Sequence, residues 1–99
     1  MTSTLAPMTR FDRHAFEQQA LAQGFDAVVV RDWAPGTVVP PHTHPFDAHA
    51  LVLAGEMWLT VVAETRHLRP GDGFDVAAGV EHAERYGPHG ATYWVAWRS

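Results

Sequence analysis

Pro40-Pro41-His42-Thr43-His44-Pro45 sets two imidazoles one residue apart. On extended backbone, alternate side chains share a face and stand about 6.6 Å apart along the chain, so His42 and His44 could grip one ion. The plainer use of such a pair is hydrogen bonding at a strand end. The chain has no cysteine, which excludes disulfides, thiolate metal sites, iron–sulfur clusters and a cysteine nucleophile. Histidine and carboxylate are the strong ligands that remain. Of the chain's other five histidines, His82 lies in Glu81-His82-Ala83-Glu84-Arg85-Tyr86. If that stretch is a strand, Glu84 shares the face of His82. Glu84 and Tyr86 are therefore the candidate catalytic residues: the carboxylate for general acid or base work or for orienting an imidazole, the phenol for holding a substrate. Their structural uses are an exposed salt bridge from Glu84 to Arg85 or Arg66, and a Tyr86 that caps the end of a barrel.

These residues need a rigid frame, and the chain supplies one of β type. One helix is expected over about residues 12–23. There Phe11, Ala15, Phe16, Ala20 and Leu21 recur at helical spacing between Asp12, an N-cap, and Gly24, a stop. Beyond it, short strands are expected at 25–33, 37–40, 48–54, 57–62, 66–68, 73–77, 82–86 and 91–98. Turn chemistry separates them at Ala34-Pro35-Gly36, Ala54-Gly55-Glu56, Ala63-Glu64-Thr65, Pro70-Gly71-Asp72, Ala78-Gly79-Val80 and Gly87-Pro88-His89-Gly90. Many short strands at regular spacing make an all-β sandwich or small antiparallel β-barrel, here over about residues 25–98. With 99 residues and no internal repeat or linker, residues 1–99 read as one domain.

Two motifs in this order resemble the cupin superfamily. The family's first motif is a glycine, five residues, His-x-His, three or four residues, a glutamate, six residues and a glycine. Gly36, His42, His44 and Gly55 fall on it, while Ala48 stands where the glutamate belongs, between Asp47 and His49. The second motif is a glycine, five residues, Pro-x-Gly, two residues, a histidine, three residues and an asparagine. Gly71, Gly79 and His82 fall on it, with Ala77 for the proline and Tyr86 for the asparagine. The resemblance covers residues 36–86, about half the chain. It implies a double-stranded β-helix, or jelly roll, whose interior gathers His42, His44 and His82 around one divalent transition metal. Iron, zinc, nickel, manganese and copper all suit three neutral imidazoles.

Loss of the carboxylate leaves the ion's charge less neutralised, which weakens its binding and sharpens it as a Lewis acid. On an unbroken strand Ala48, Ala50 and Val52 share one face and Asp47, His49 and Leu51 the other, so His49 reaches the metal only through a bulge. His49 is nonetheless the candidate fourth ligand, ahead of Asp47, which suits a turn after Pro45. His14, His67 and His89 read as solvated surface.

The net charge of −4, seven scattered arginines and the absence of lysine argue against nucleic acid. No signal-type segment or membrane-length apolar run is present, so a cytoplasmic protein without membrane contact is expected. Trp94 and Ala96 face one way on the last strand and Tyr93, Val95 and Trp97 the other. In so small a chain, one of the covering layers is expected to be a second subunit, which makes a homodimer. The small residues Ala48 and Ala50 leave room for a small organic ligand over an aromatic floor. The expected function is that of a metal-binding cupin: a small-molecule metalloenzyme, dioxygenase-like by preference or else a Lewis-acid isomerase or lyase. The alternative is a cupin that binds or senses a small ligand without catalysis.

Overall fold

The computed structural model describes residues 11–99; residues 1–10, part of the stretch read above as lacking a signal segment, lie outside the described residues. Helix α1 (Arg13–Ala22) begins where expected. The Asp12 carboxylate accepts a hydrogen bond from the Ala15 N–H at 3.2 Å, satisfying one of the donors that a helix start leaves free. Phe16 and Ala20 are buried against Phe25, Trp94 and Ala96. Leu21, from the expected apolar stripe, is instead exposed.

Six strands follow: β1 (Ala27–Trp33), β2 (Val38–His42), β3 (Asp47–Val61), β4 (Glu64–Leu68), β5 (Gly73–Val76) and β6 (His82–Arg98). β3 and β6 form the spine, antiparallel from the pair Asp47 and Arg98 to the pair Val61 and His82. β2 and β1 pair with successive halves of β6, and β5 and β4 with successive halves of β3. All pairings are antiparallel, and the architecture is the expected all-β jelly roll with one helix. The sheet path β1-β6-β3-β4 does not close into a ring, so the barrel is an open one.

The strand count differs from the expectation for a physical reason. Segments 48–54 and 57–62 fuse into β3, and 82–86 and 91–98 into β6. Gly55 and the Gly87-Pro88-His89-Gly90 stretch are bends inside long strands rather than breaks between short ones. The register shifts on either side of Gly55, whose φ is 74°, and a Cβ there would collide with the Gly90 carbonyl oxygen. The true hairpin turn is Val62-Ala63, both at positive φ, while Glu64 and Thr65 already belong to β4.

Parity along the spine divides its residues between two layers. Ala50, Val52, Met57, Leu59, Tyr86 and Tyr93 join Leu68, Phe74 and Val76 in the inner core. Trp94 and Ala96 face outward and are covered by α1, so on this face the covering layer is the helix. Among the described residues, no helix is long and apolar enough to cross a membrane.

Candidate metal centre

Two strands and a loop bring the three histidines together. His42 ends β2 and pairs in register with His82, the first residue of β6. A register shift between Val39 and His42, across Pro40-Pro41, lets the strand turn inward there. His44 is not on the strand. It lies in the connection to β3, where its carbonyl accepts a hydrogen bond from the Gly79 N–H at 2.9 Å. That bond ties the His-x-His segment to the Ala78-Gly79-Val80 turn ahead of His82. The His44 ring stacks flat on Phe46, with centroids 4.3 Å apart. One nitrogen from each of the three rings lies within 4.8 Å of the others.

Hydrogen bonds fix which nitrogens face inward. His42 Nδ1 lies 2.9 Å from the Pro40 carbonyl oxygen and His82 Nδ1 lies 3.0 Å from that of Val80. A carbonyl only accepts, so both Nδ1 atoms carry the proton, and in the neutral form of each ring it is Nε2 that offers the lone pair. This is how metal-binding imidazoles are commonly held. Burial, and then the neighbouring His82, lowers the His44 pKa below the ordinary histidine value. The Phe46 backbone opposes part of that drop, yet His44 Nδ1 is buried without a hydrogen-bond partner. Converging imidazoles with an unpartnered buried nitrogen suit a divalent transition metal.

Glu84 joins this group. On β6 it shares the inward face of His82, is buried, and places Oε2 3.5 Å from His82 Nε2 and 3.7 Å from His42 Nε2. The surface salt bridge to Arg85 or Arg66 does not form. Arg85 lies over the Trp58 ring at 4.1 Å, and Arg66 donates to the Gly73 carbonyl. Tyr86 donates to Glu84 Oε1 at 2.5 Å, and its ring is stacked on Trp33. Burial first, with Tyr93 and the Glu84 contact adding to it, pushes the Tyr86 phenol far above its usual pKa.

The remaining candidates lie elsewhere. Ala48 is buried and faces the cavity, as its parity requires. The pairing of residues 47–52 with β6 is regular, so no bulge turns His49 inward. His49 sits on the opposite face, bonded through Nδ1 to Asp75 Oδ1 at 2.7 Å and stacked on Phe16; the structure does not bring it to the cluster. Asp47 also points away, accepting from the Ala78 N–H and from Arg98. His14 and His89 are exposed. His67, expected as solvated surface, is half-buried, bonded to Glu56 at 2.7 Å and stacked on Trp58.

The histidines and Glu84 line a cavity of about 430 Å³ whose other walls include Phe46, Phe74, Val76, Val95 and Trp97. β1 contributes Val29, Arg31 and Trp33 to the same cavity. These three carry no motif, and only the register of β1 on β6, with Arg31 opposite Tyr93, reveals them.

No protein of curated function matches the chain. Among solved structures, that of the DMSP lyase DddQ from Ruegeria pomeroyi is 31% identical, with a TM-score of 0.68, over 74% of this chain and 38% of that one. KdgF from Halomonas sp. is 24% identical, with a TM-score of 0.65, over 71% of this chain and 66% of its own. The cupin domain of Schizosaccharomyces pombe Cnp3 is 18% identical, with a TM-score of 0.69, over 78% and 55%. The chain thus spans about two thirds or less of each of these relatives, and the last two speak for the fold alone. The family described as cupin domain matches residues 29–94, the span that holds all three histidines, both motifs and most of the strand framework. The chain belongs to the cupin family.

Proposed function

We propose that this cupin holds one divalent transition metal on His42, His44 and His82 and uses it as a Lewis acid toward a small organic acid seated in the cavity. The observation that carries this reading is the convergence of three imidazoles in the wall of a largely apolar cavity, two of them oriented by Nδ1 hydrogen bonds to backbone carbonyls. A metal bound there would polarise a substrate oxygen. The chain's own residues do the rest. Apolar walls from Phe46, Phe74, Val76 and Trp97 exclude water and hold a hydrocarbon portion.

Arg31 supports the choice of an acid. Its guanidinium lies over the Trp33 ring at 4.7 Å and, among the described residues, has no hydrogen bond or ion pair. It is the one fixed cation among the cavity residues, and a planar fork of donors suits a carboxylate. The 31% identity to the DMSP lyase DddQ supports a lyase-type elimination over the oxygenase preferred from sequence. Glu84 and Tyr86 serve the site in different ways: Glu84 borders the cavity, whereas Tyr86 acts through Glu84 as a positioning residue.

The test is a thermal-shift panel of short carboxylic acids and their amides on metal-loaded protein, followed by turnover assays with and without oxygen. Acids should stabilise the protein and amides should not. Arg31→Gln should weaken acid binding roughly 10- to 100-fold while metal content is unchanged. Equal stabilisation by amides would sink the substrate class, and oxygen consumed in step with turnover would make the protein an oxygenase. Acid binding without turnover of any bound acid would make it a binding cupin.

A further inference from the structure

The family's metal-binding carboxylate is missing at Ala48, yet a buried carboxylate stands at the site from another strand. We infer that Glu84 is a fourth protein ligand to the metal, supplied by β6 in place of the glutamate that the family carries on β3. The inference rests on the metal reading proposed above, and its test separates the two.

A chain of hydrogen bonds aims Glu84 at the histidines. Trp33 Nε1 lies 3.0 Å from Tyr93 Oη, Tyr93 Oη lies 3.3 Å from Tyr86 Oη, and Tyr86 Oη lies 2.5 Å from Glu84 Oε1. An indole N–H can only donate, and each phenol has one proton to give. Tyr86 gives its proton to Glu84, so Tyr93 must donate to Tyr86 while accepting from Trp33. Every donor in the series points toward Glu84 Oε1. Two buried tyrosines and a half-buried tryptophan therefore fix the carboxylate's orientation and leave Oε2 turned to His42 and His82.

At that end the groups lack a partner of the right sign. With their Nδ1 protons on backbone carbonyls, the neutral rings of His42 and His82 turn Nε2 lone pairs toward Glu84 Oε2, which is an acceptor as well. Three acceptors facing one another repel unless a cation lies between them. Their separations of 3.5 and 3.7 Å exceed the about 2.7–2.9 Å of a charge-assisted hydrogen bond. They lie nearer the ~3.3 Å edge of a tetrahedron built on metal–ligand bonds of about 2.0–2.1 Å. A carboxylate from β6 thus restores the charge neutralisation that Ala48 removed.

The experiment measures metal affinity by chelator competition, together with the visible absorption of the cobalt(II)-loaded protein. It compares wild type, Glu84→Gln, Tyr86→Phe and the double variant Ala48→Glu/Glu84→Gln. Glu84→Gln keeps the size of the side chain and an acceptor for Tyr86. It should weaken zinc binding about 100-fold or more, beyond the usual cost of losing a group that merely supports a ligand, and it should change the cobalt ligand-field bands. Tyr86→Phe should weaken binding about 10-fold with the bands retained. Restoring a carboxylate at position 48 should recover affinity in the Glu84→Gln background.

A Glu84→Gln protein with wild-type affinity and an unchanged cobalt spectrum would overturn the inference and leave the three-histidine site intact. Wild type that binds no metal would overturn both. As a measurement independent of variant folding, infrared difference spectra of wild type with and without zinc should show a shifted carboxylate band. No shift would overturn the inference.

Discussion

His42 and His82 are held by the carbonyls of residues two positions earlier, Pro40 and Val80, so the tautomers that matter are written in the local backbone. The three histidines were legible in the sequence because the glycines around them fix their spacing. Gly36 and Gly79 adopt the positive φ that their motif positions demand. Glu84 was only half legible. Its parity with His82 placed it on the inner face, but nothing in a sequence says whether a carboxylate on a strand meets an arginine or a ring of imidazoles. His49 was misleading for the opposite reason: its residue type suited a ligand while its parity did not, and parity won. Asp47 illustrates a third use of a carboxyl near the site. The Ala78 N–H at 2.8 Å, and after it Arg98, hold its pKa below the usual 3.8. The folded state therefore favours the ionised form, a contribution present above that value and lost as pH falls through the depressed one. Thermal melts should show Asp47→Asn destabilised near about pH 6 and its deficit shrinking toward about pH 2. A deficit that stays constant over that range would contradict the assignment.

Among the elements, the helix and the alternation within each strand could be read from the chain, while the joins between strands could not. Gly55 and Gly90 look like turn residues because both need positive φ, yet each lies where two backbones approach closely within continuous strands. A sequence does not distinguish those two reasons for glycine. The real β3–β4 turn was hidden by its composition. Val62 and Ala63 occupy a two-residue loop at φ 48° and 68°, which Asn-Gly would fill with less strain. Val62 is 82% exposed, so replacing it removes no core contact. The double variant Val62→Asn/Ala63→Gly should raise unfolding stability by roughly 1–2 kcal/mol in denaturant titration. No gain would mean that the turn carries no such strain. At the helix, Asp12→Ala removes the carboxylate that accepts from Ala15 and should cost about 1 kcal/mol in the same titration.

At the scale of the whole molecule, the spine strands bring residues far apart in sequence around one cavity. His42 and His44 enter from β2 and the connection after it, and His82 and Glu84 from the start of β6. Arg31 and Trp33 come from β1, whose partner is the other end of β6. No local motif could have joined Arg31 to His82. Two properties of the cavity are proposed from this arrangement: a metal site on the histidines, and a preference for acids set by a guanidinium that is unpaired among the described residues. The metal is the central claim, because the substrate reading and the role of Glu84 both depend on it. Its most direct test is a titration of metal-stripped protein with a divalent transition metal, read by competition with a chelator and by elemental analysis after desalting. Wild type should retain one equivalent, while His82→Ala, and separately His42→Ala, should retain far less at the same metal concentration. Wild type that retains none, or histidine variants that bind as tightly as wild type, would contradict the account.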